Sequence, residues 1–342
     1  KKEKNAKKAA AKSSKSKKAA AGIDENGTFR AWDNAKTESK KTEKEAPAAK
    51  PTFKPATTTA QSDKKLAEAK SKDPNANIKS KKAADYGDDK VRHLDALEHI
   101  RLRSGMYIGR LGDGTNQNDG IYVLLKEVID NSIDEFIMGF GNRIDVEIKE
   151  NRVKVRDYGR GIPLGKVVEC VSEINTGAKY DSDVFQFSVG MNGVGTKAVN
   201  ALSSYFRVVS VRDGKCVEAV FEKGKLQSKR SGTVKAGTKN GTYFEFEPDE
   251  AIFGKYSFNM EFVEKRMWNY VYLNSGLTIK FNGQEFESKN GLLDLLQKEL
   301  EAETIYPIGH YVGEHLQFAF THTNAYGENY FSFVNGQCTS DG

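Results

Sequence analysis

The sequence predicts an α+β protein, in which helices pack on a sheet whose strands are mostly joined as hairpins. Three observations support this class: a long amphipathic helix over 120–139, short runs of alternating apolar residues after it, and the lack of a strict alternation of strands and helices. A doubly wound parallel sheet would require that alternation. A segment with neither periodicity precedes the predicted folded part.

Residues 1–85 form a tail that is rich in Lys, Ala, Ser and Thr. Residues 1–82 hold 23 lysines and arginines against 10 aspartates and glutamates, a balance of +13, whereas the other 260 residues hold 30 against 37, a balance of −7. The tail has too few apolar side chains to offset its ordering entropy, so we expect it to be disordered. It could hold a polyanion through phosphate contacts, or it could be a solvated leader without that task.

Composition excludes several classes of protein. No run approaches the ~20 apolar residues that span a bilayer, so we expect no membrane partner. Cys170, Cys216 and Cys338 lie far apart in the chain, which supports neither a disulfide framework nor a zinc site and fits a cytoplasmic protein. Because the chain begins with lysine and ends in a loop-like Thr-Ser-Asp-Gly, we expect a fragment.

The elements follow from periodicity in chain order. Apolar residues with helical spacing predict a short helix near 94–100 and the long helix over 120–139. Further strands are predicted at 144–148, 153–155, 205–211, 216–222, 242–247, 277–283, 315–321 and 329–334, and further helices at 196–203, 258–272 and 291–300. The last two strands follow residue 306 and predict the start of a second domain.

Three polar residues of the long helix share one side of it. Glu127, Asn131 and Asp134 are spaced i, i+4 and i+7, next to the apolar stripe, so we expect them to be partly buried. A carboxylate and an amide in such a position could orient a water molecule and ligate a hard cation. They could equally form an ordinary polar boundary of the helix.

Two other segments carry polar groups at strand ends. The segment from Asp157 to Pro163 combines a carboxylate with spaced glycines, which let a flat ligand approach the backbone, although a tight turn would look the same. Thr242, in a strand candidate, could place a hydroxyl in a buried site, or it could be there only because threonine favours strands.

The glycine-rich segment Gly190 to Gly195 leads into the predicted helix 196–203. Glycines at a helix start expose free N–H groups to an anion, which is typical of a phosphate-binding segment. It is not a Walker P-loop, because Thr196 separates the last glycine from Lys197. Part of it, with Asp213 at a strand end, also fits a dinucleotide fingerprint, but no convincing buried strand precedes it.

The order of these motifs resembles the ATP-binding fold of the GHKL (Bergerat) superfamily, a sandwich of helices on a mixed sheet. Within it, three motifs are similar to the B subunits of DNA gyrase and topoisomerase IV, the bacterial type IIA topoisomerases. These are Arg103-Ser104-Gly105-Met106-Tyr107-Ile108-Gly109, Lys126-Glu127-Val128-Ile129-Asp130-Asn131-Ser132-Ile133-Asp134-Glu135, and Val189 to Ser203. Departures at Tyr158, Met191 and Asn192 favour topoisomerase IV over gyrase. The resemblance implies a GHKL ATPase domain with its N-terminal arm over 86–305 and the start of a transducer domain over 306–342.

The resemblance also implies roles for single residues. Glu127 would be the general base that acts on the attacking water, and Asn131 would ligate a magnesium ion that bridges the phosphates. Asp157 would accept a hydrogen bond from the adenine amino group, directly and through a water that Thr242 also holds. The other expected ATP contacts are Tyr86, which reaches into the partner subunit, Gly161, Ile162 and Pro163 around the adenine, Lys179 at the start of the lid, and Gly190, Gly193, Val194 and Gly195 at the phosphates. Arg160 is expected to pair with Glu135.

The implied partners are DNA, the topoisomerase A subunit in an A2B2 heterotetramer, and a second copy of the B subunit. ATP would close the lid and dimerise the two copies around a DNA segment. The transducer lysine of the family lies in a Gln-Thr-Lys loop that this sequence lacks, so we expect Mg-ATP binding with slow hydrolysis. Another GHKL ATPase, similar to MutL proteins or chaperones, and a non-enzymatic module that binds nucleotide or polyanion are the alternatives.

Overall fold

The computed structural model describes residues 22–23, 29–30, 94–177, 193–313 and 315–339. Of the tail, it therefore describes only the strands β1 (Gly22–Ile23) and β2 (Phe29–Arg30), which pair antiparallel. The disorder predicted for the rest of the tail lies outside these ranges. Within them, no helix combines the length and the apolar character that crossing a membrane requires.

An eight-stranded mixed sheet forms the centre of the fold. Its strands are β3 (Arg143–Lys149), β4 (Arg152–Asp157), β5 (Ser203–Arg212), β6 (Lys215–Glu222), β7 (Lys225–Thr233), β8 (Gly241–Pro248), β9 (Thr278–Phe281) and β10 (Gln284–Glu287). They lie in the order β10-β9-β3-β4-β8-β5-β6-β7. Neighbours pair antiparallel except β3 and β9, which are parallel. This arrangement confirms the predicted α+β class.

The helices that the structure describes contribute buried side chains to one core with this sheet, apart from the last of them. They are α1 (Ala96–Leu102), α2 (Gly105–Ile108), α3 (Gly120–Ile137), α4 (Val167–Ser172), α5 (Gly195–Leu202), α6 (Glu250–Phe253), α7 (Met260–Leu273) and α8 (Leu292–Glu299). The apolar stripe of α3 and the inward side chains of the strands form one core with α5 and α7. The long helix stops before Gly139, whose φ of +82° is incompatible with its continuation.

Strand register decides which side chains face the helices. In the β3–β4 pair, Val146 lies opposite Val155 and Ile144 lies opposite Asp157. Because alternate residues of a strand share a face, Asp157 lies on the same face as the buried valines, beneath the helices. A carboxylate thus ends the apolar row of β4.

The opposite face of the sheet carries a row of alternating charges across four neighbouring strands. Arg152 of β4 contacts Glu245 of β8 at 3.3 Å, Glu245 contacts Arg207 of β5 at 3.3 Å, and Arg207 contacts Glu218 of β6 at 2.6 Å. Glu245, Arg207 and Glu218 are largely buried. Each of these buried charges is therefore paired, as burial of a charge requires.

The structure corrects several predicted elements. Strands β7 and β10 were not predicted, the predicted strand 277–283 covers β9 and the turn after it, and α4 follows a 3-10 turn where no helix was predicted. The C-terminal strands form two separate pairs, β11 (Gly309–Val312) with β12 (Gln317–Phe320) and β13 (Phe333–Val334) with β14 (Gln337–Cys338). The predicted strand 329–334 is thus only two residues long. The domain boundary near 305 stays a prediction.

Candidate active site

Asp157 is buried where β4 ends, with 4% of its surface exposed. Its Oδ1 accepts hydrogen bonds from the main-chain N–H groups of Gly159, at 2.9 Å, and Thr242, at 3.0 Å. Burial raises the pKa of this carboxyl, while Arg156 and the two N–H donors oppose that rise. Since both donors meet Oδ1, the other oxygen, Oδ2, is the atom suited to accept from a ligand.

Thr242 lies beside Asp157 as predicted, but the contact that the structure describes comes from its main chain. Thr242 is the second residue of β8 and is buried, and it lies opposite Ser210 of β5. The Ser210 hydroxyl donates to the carbonyl of Ile162 at 2.6 Å, which holds the loop after β4 against the sheet. No local pattern marks Ser210, because its neighbour across the sheet depends on the pairing of distant strands.

The loop after Asp157 depends on two glycines. Gly161 has a φ of +77°, and a Cβ there would lie 2.7 Å from the carbonyl oxygen of Val211. A Cβ at Gly159 would lie 2.7 Å from that of Glu135 in α3. Ile162 packs partly on the core and Pro163 is exposed, so the loop reaches from the buried carboxylate to the surface.

The predicted ion pair between Arg160 and Glu135 is confirmed. The guanidinium contacts the carboxylate through two nitrogens, at 2.9 and 3.1 Å, and the main-chain N–H of Arg160 donates to the same carboxylate at 2.8 Å. This forked contact ties the loop after β4 to helix α3.

Glu127 and Asn131 lie on the exposed margin of α3. The Glu127 side chain is 26% exposed, and the Asn131 amide nitrogen donates to the main-chain carbonyl of Glu127 at 2.5 Å. Of the Asn131 side chain, the amide oxygen is the atom that is chemically able to ligate a cation, which is the role that the resemblance implies. Asp134, one turn further along, is buried at 1% exposure rather than partly buried as predicted.

Helix α5 begins directly against Glu127. A Cβ at Gly195, its first residue, would lie 1.9 Å from Oε2 of Glu127, so only glycine permits this approach. Gly193 has a φ of +60°, and Val194 precedes the helix without a side-chain cap. The start of α5 therefore offers main-chain N–H groups at the carboxylate that the sequence singled out.

Lys197 does not act as a P-loop lysine. It is buried, and its ammonium donates to the carbonyls of Thr176, at 2.7 Å, and Gly193, at 2.5 Å. The dinucleotide fingerprint also fails, because β5 and β6 are antiparallel and Asp213 lies in the exposed turn between them. Tyr86, Lys179 and Gly190 lie outside the described residues.

Comparisons with known proteins agree with this geometry. Residues 116–252 match the family described as histidine kinase-, DNA gyrase B-, and HSP90-like ATPase. The B subunit of DNA topoisomerase 4 from Borreliella burgdorferi is 62% identical over 262 residues, which are 76% of this chain and 43% of the relative. Those of Streptococcus pneumoniae and Staphylococcus aureus are each 34% identical, over 75% and 76% of this chain and 42% of each relative. This chain thus spans less than half of the length of these relatives.

A solved structure supports the same conclusion. The 43K ATPase domain of Thermus thermophilus gyrase B, crystallised with an aminocoumarin, superposes with a TM-score of 0.59 at 27% identity, over 72% of this chain and 68% of that chain. The chain carries the GHKL ATPase region of type IIA topoisomerase B subunits. The three curated relatives all come from topoisomerase 4, which supports the expectation of topoisomerase IV rather than gyrase.

The structure adds two basic residues to the site of this topoisomerase region that sequence reasoning missed. Arg212, where β5 ends, donates to the carbonyl of Gly161 at 3.4 Å and so lies beside the loop after β4, which is the expected adenine loop. Lys126 contacts Glu127 at 3.4 Å and Asp130 at 3.0 Å. Burial would lower the pKa of Lys126, but these two carboxylates outweigh it and raise the pKa, which keeps the ammonium charged. The i, i+4 spacing of Lys126 and Asp130 was the available signal for that pair.

Proposed function

We propose that this region binds ATP between Asp157 and the start of α5 and hydrolyses it with Glu127 as general base. The observation that carries the proposal is the position of Glu127, whose carboxylate lies against Gly195 at a helix start. Glu135, which ties the adenine loop to α3, lies eight residues after Glu127, which corresponds to about 12 Å along a helix. That separation suits an extended nucleotide with its base at one end and its phosphates at the other.

At the adenine end, Asp157 accepts a hydrogen bond from the exocyclic amino group. A water held by Thr242 makes the second contact, as the resemblance implies. Gly161 leaves room for the flat base, and Ile162 and Pro163 line the outer pocket. The rigid placement of Asp157 by two main-chain donors supports this role, because a fixed acceptor orients the base without losing side-chain entropy on binding.

At the phosphate end, the N–H groups of Gly193, Val194 and Gly195 receive the phosphates. Gly190 and Lys179 join them by resemblance. Main-chain donors of this kind are needed because the region outside the tail is acidic overall and supplies no general positive field.

The donor set fits a magnesium ion that is held mainly by the nucleotide. Among the described residues, no group of three or more His, Cys, Asp or Glu side chains could bind a metal. Magnesium usually keeps several waters and takes one or two protein oxygens together with substrate phosphates. The amide oxygen of Asn131 is such a ligand, and the ion would neutralise phosphate charge.

In the hydrolytic step, Glu127 orients a water molecule and accepts its proton. The water oxygen bonds to the γ-phosphorus while the bond from that phosphorus to the β,γ-bridging oxygen breaks, and ADP leaves with the electron pair. The positions of the groups matter more than their acidity here, since phosphoryl transfer depends on alignment.

For the whole protein, we propose ATP-dependent passage of one DNA duplex through another, together with a topoisomerase A subunit in the cytoplasm. ATP would dimerise two copies of this chain, with Tyr86 of each reaching the other's nucleotide. The relatives are named as B subunits of DNA topoisomerase 4, which supports this assignment. The full-length protein with its A subunit should decatenate linked DNA circles more readily than it supercoils; the reverse preference would identify a gyrase.

The proposal for this chain is tested by titration with a fluorescent ATP analogue and by light scattering. We expect saturable, magnesium-dependent binding, and dimerisation when a non-hydrolysable ATP analogue is present. A chain that shows no saturable binding would refute the ATPase proposal. Binding without hydrolysis or dimerisation at any protein concentration would instead favour the non-enzymatic nucleotide-binding module.

A further inference from the structure

A buried polar cluster lies beside the general base. Asp130, on the next turn of α3, has a side chain that is only 2% exposed. Its Oδ1 accepts from the Tyr270 hydroxyl at 2.9 Å, and its Oδ2 accepts from Gln337 at 3.3 Å and lies 3.0 Å from the Lys126 ammonium. Three separate segments of the chain therefore fix this one carboxylate.

Lys126 connects the cluster to the site. Its ammonium lies 3.4 Å from Oε1 of Glu127, and the other oxygen of Glu127, Oε2, faces Gly195. One oxygen of the glutamate thus contacts a charged side chain, and the other lies close to the start of α5.

We propose that Lys126 is a positioning residue, whose ammonium, anchored on Asp130, fixes the carboxylate of Glu127 for its work on the attacking water. The inference rests on the proposed role of Glu127 as the general base. It adds to that role a residue to which the sequence analysis assigned no function.

The distances from the Lys126 ammonium to Asp130 and to Glu127 indicate how the lysine could position the glutamate. A lysine on a helix surface has a flexible stem and holds nothing firmly, but the shorter contact to buried Asp130 confines this one. The longer contact to Glu127 restricts the rotation of the carboxylate. Because a general base must lie within hydrogen-bonding reach of its water in the correct orientation, this restriction acts on turnover rather than on nucleotide affinity.

A merely structural salt bridge is the competing explanation. A pair with one buried partner, such as Asp130, contributes to stability, and its loss lowers the stability of the fold without acting on turnover. The two explanations differ in what Lys126→Met changes. Loss of a positioning residue lowers the rate per folded, nucleotide-bound molecule, whereas loss of a structural pair lowers only the fraction folded.

The test compares Lys126→Met, Lys126→Arg and Asp130→Asn with the wild-type chain. Single-turnover hydrolysis of ATP with protein in excess gives the rate of the bound molecule, and titration with a fluorescent ATP analogue gives the affinity. Lys265→Met is the matched control, because Lys265 is an exposed lysine of α7. Circular dichroism melting reports the folded fraction of each variant.

We expect Lys126→Met to slow hydrolysis between about ten- and a hundredfold, with the affinity changed less than about twofold. Lys126→Arg should restore most of the rate, since it keeps the charge and the reach. Asp130→Asn should slow hydrolysis in the same way, and combining it with Lys126→Met should add no further loss, because both changes break one linkage.

The inference is overturned if Lys126→Met hydrolyses ATP as fast as the wild type, or if its rate and affinity fall in parallel. It is also overturned if Lys126→Arg is as slow as Lys126→Met, since a preserved charge should position the base. A wild-type chain that neither binds nor hydrolyses ATP refutes the proposed function itself. A wild type that turns over while Lys126→Met is unaffected refutes only the role of Lys126.

Discussion

The two carboxylates of the site lie in opposite surroundings. Asp157 is 4% exposed and is fixed by main-chain N–H groups of two segments, whereas Glu127 is 26% exposed and is held by the side chain of Lys126. The proposed adenine end is therefore buried and rigidly held, which suits the recognition of one base. The proposed phosphate end keeps access to water, which the proposed hydrolysis consumes. We therefore expect changes at Asp157 to act on nucleotide binding and changes at Glu127 to act on hydrolysis.

The largest expected effect comes from removing the base. Glu127→Gln should lower ATP turnover by at least about a hundredfold, because the amide cannot accept the proton of the water. Nucleotide affinity should stay nearly unchanged, since the adenine end is untouched. Single-turnover hydrolysis and titration with a fluorescent ATP analogue give the two quantities.

Glu264→Gln is a suitable control for this change, because Glu264 is an exposed glutamate on α7. It should match the wild type in both measurements. If Glu127→Gln loses affinity instead of turnover, the division of the site into a binding end and a chemical end is wrong.

The second prediction addresses the other end. Asp157→Asn keeps an oxygen for the N–H groups of Gly159 and Thr242, but it replaces the oxygen that accepts from adenine by a donor. We expect the affinity for ATP to fall between about ten- and a hundredfold, in line with the loss of a hydrogen bond to a charged group. Hydrolysis of the ATP that still binds should proceed at close to the wild-type rate.

The pKa of Asp157 gives this variant its own folding control. Burial raises that pKa in the folded state, so the folded chain holds the proton more tightly than the unfolded chain. The free energy of unfolding therefore falls as pH rises from the unfolded value, near 3.8, through the folded one. Asp157→Asn should lose this part of the pH dependence and be no less stable than the wild type at neutral pH, as measured by urea unfolding. A variant that is unfolded at neutral pH would contradict this account.

How much of the molecule could be predicted follows from the range of the interactions. Helix α3 and the β3–β4 hairpin were predictable because their periodicity and turn are local. Strand β7 was not, since its residues are mostly exposed and polar, and only its pairing with β6 makes it a strand. The β9–β10 hairpin did carry a local signal, the pair Asn282-Gly283, which is typical of a two-residue turn. Both residues have positive φ in the structure, as such a turn requires.

The same distinction holds within the site. The order of the motifs was enough to single out Glu127, Asp157 and the glycines at the start of α5 as one candidate site. The residues that hold their surroundings come from distant segments, and no local pattern marks them. Ser210 bonds the carbonyl of Ile162 from about 50 residues away in the chain, and Gln337 bonds Asp130 from about 200 residues away. Sequence therefore predicted the groups that we propose to act, and the structure was needed for the groups that hold their surroundings in place.

A third, smaller effect is expected from the close packing of Glu127 against the start of α5. Gly195→Ala would place a methyl group 1.9 Å from Oε2 of Glu127, so the carboxylate or the start of α5 must move. We expect turnover to fall about tenfold through this displacement. Gly165→Ala is the matched control, since nothing lies within 4 Å of a Cβ there. Equal rates for the two variants would show that the packing of Glu127 against α5 has no role in hydrolysis.

The smallest effect should come from the tether between the two ends. Arg160 joins the adenine loop to Glu135 of α3, and its side chain is 28% exposed, so water can replace part of the contact. Arg160→Met should therefore weaken ATP affinity only about threefold to tenfold, in keeping with a partly exposed ion pair. The variant Glu135→Gln keeps an acceptor for the main-chain N–H of Arg160 and should have the smaller effect of the two.

The tether also decides whether the ends act independently. If the loop is merely held in place, Arg160→Met will lower affinity, and its effect will add to that of Glu127→Gln in the double variant. If the ion pair transmits the position of the adenine loop along α3, turnover of bound ATP will fall as well, and the two effects will not be additive. Since Glu135 contacts the loop through both its oxygens while Glu127 is held by Lys126 and faces Gly195, the structure favours the additive result.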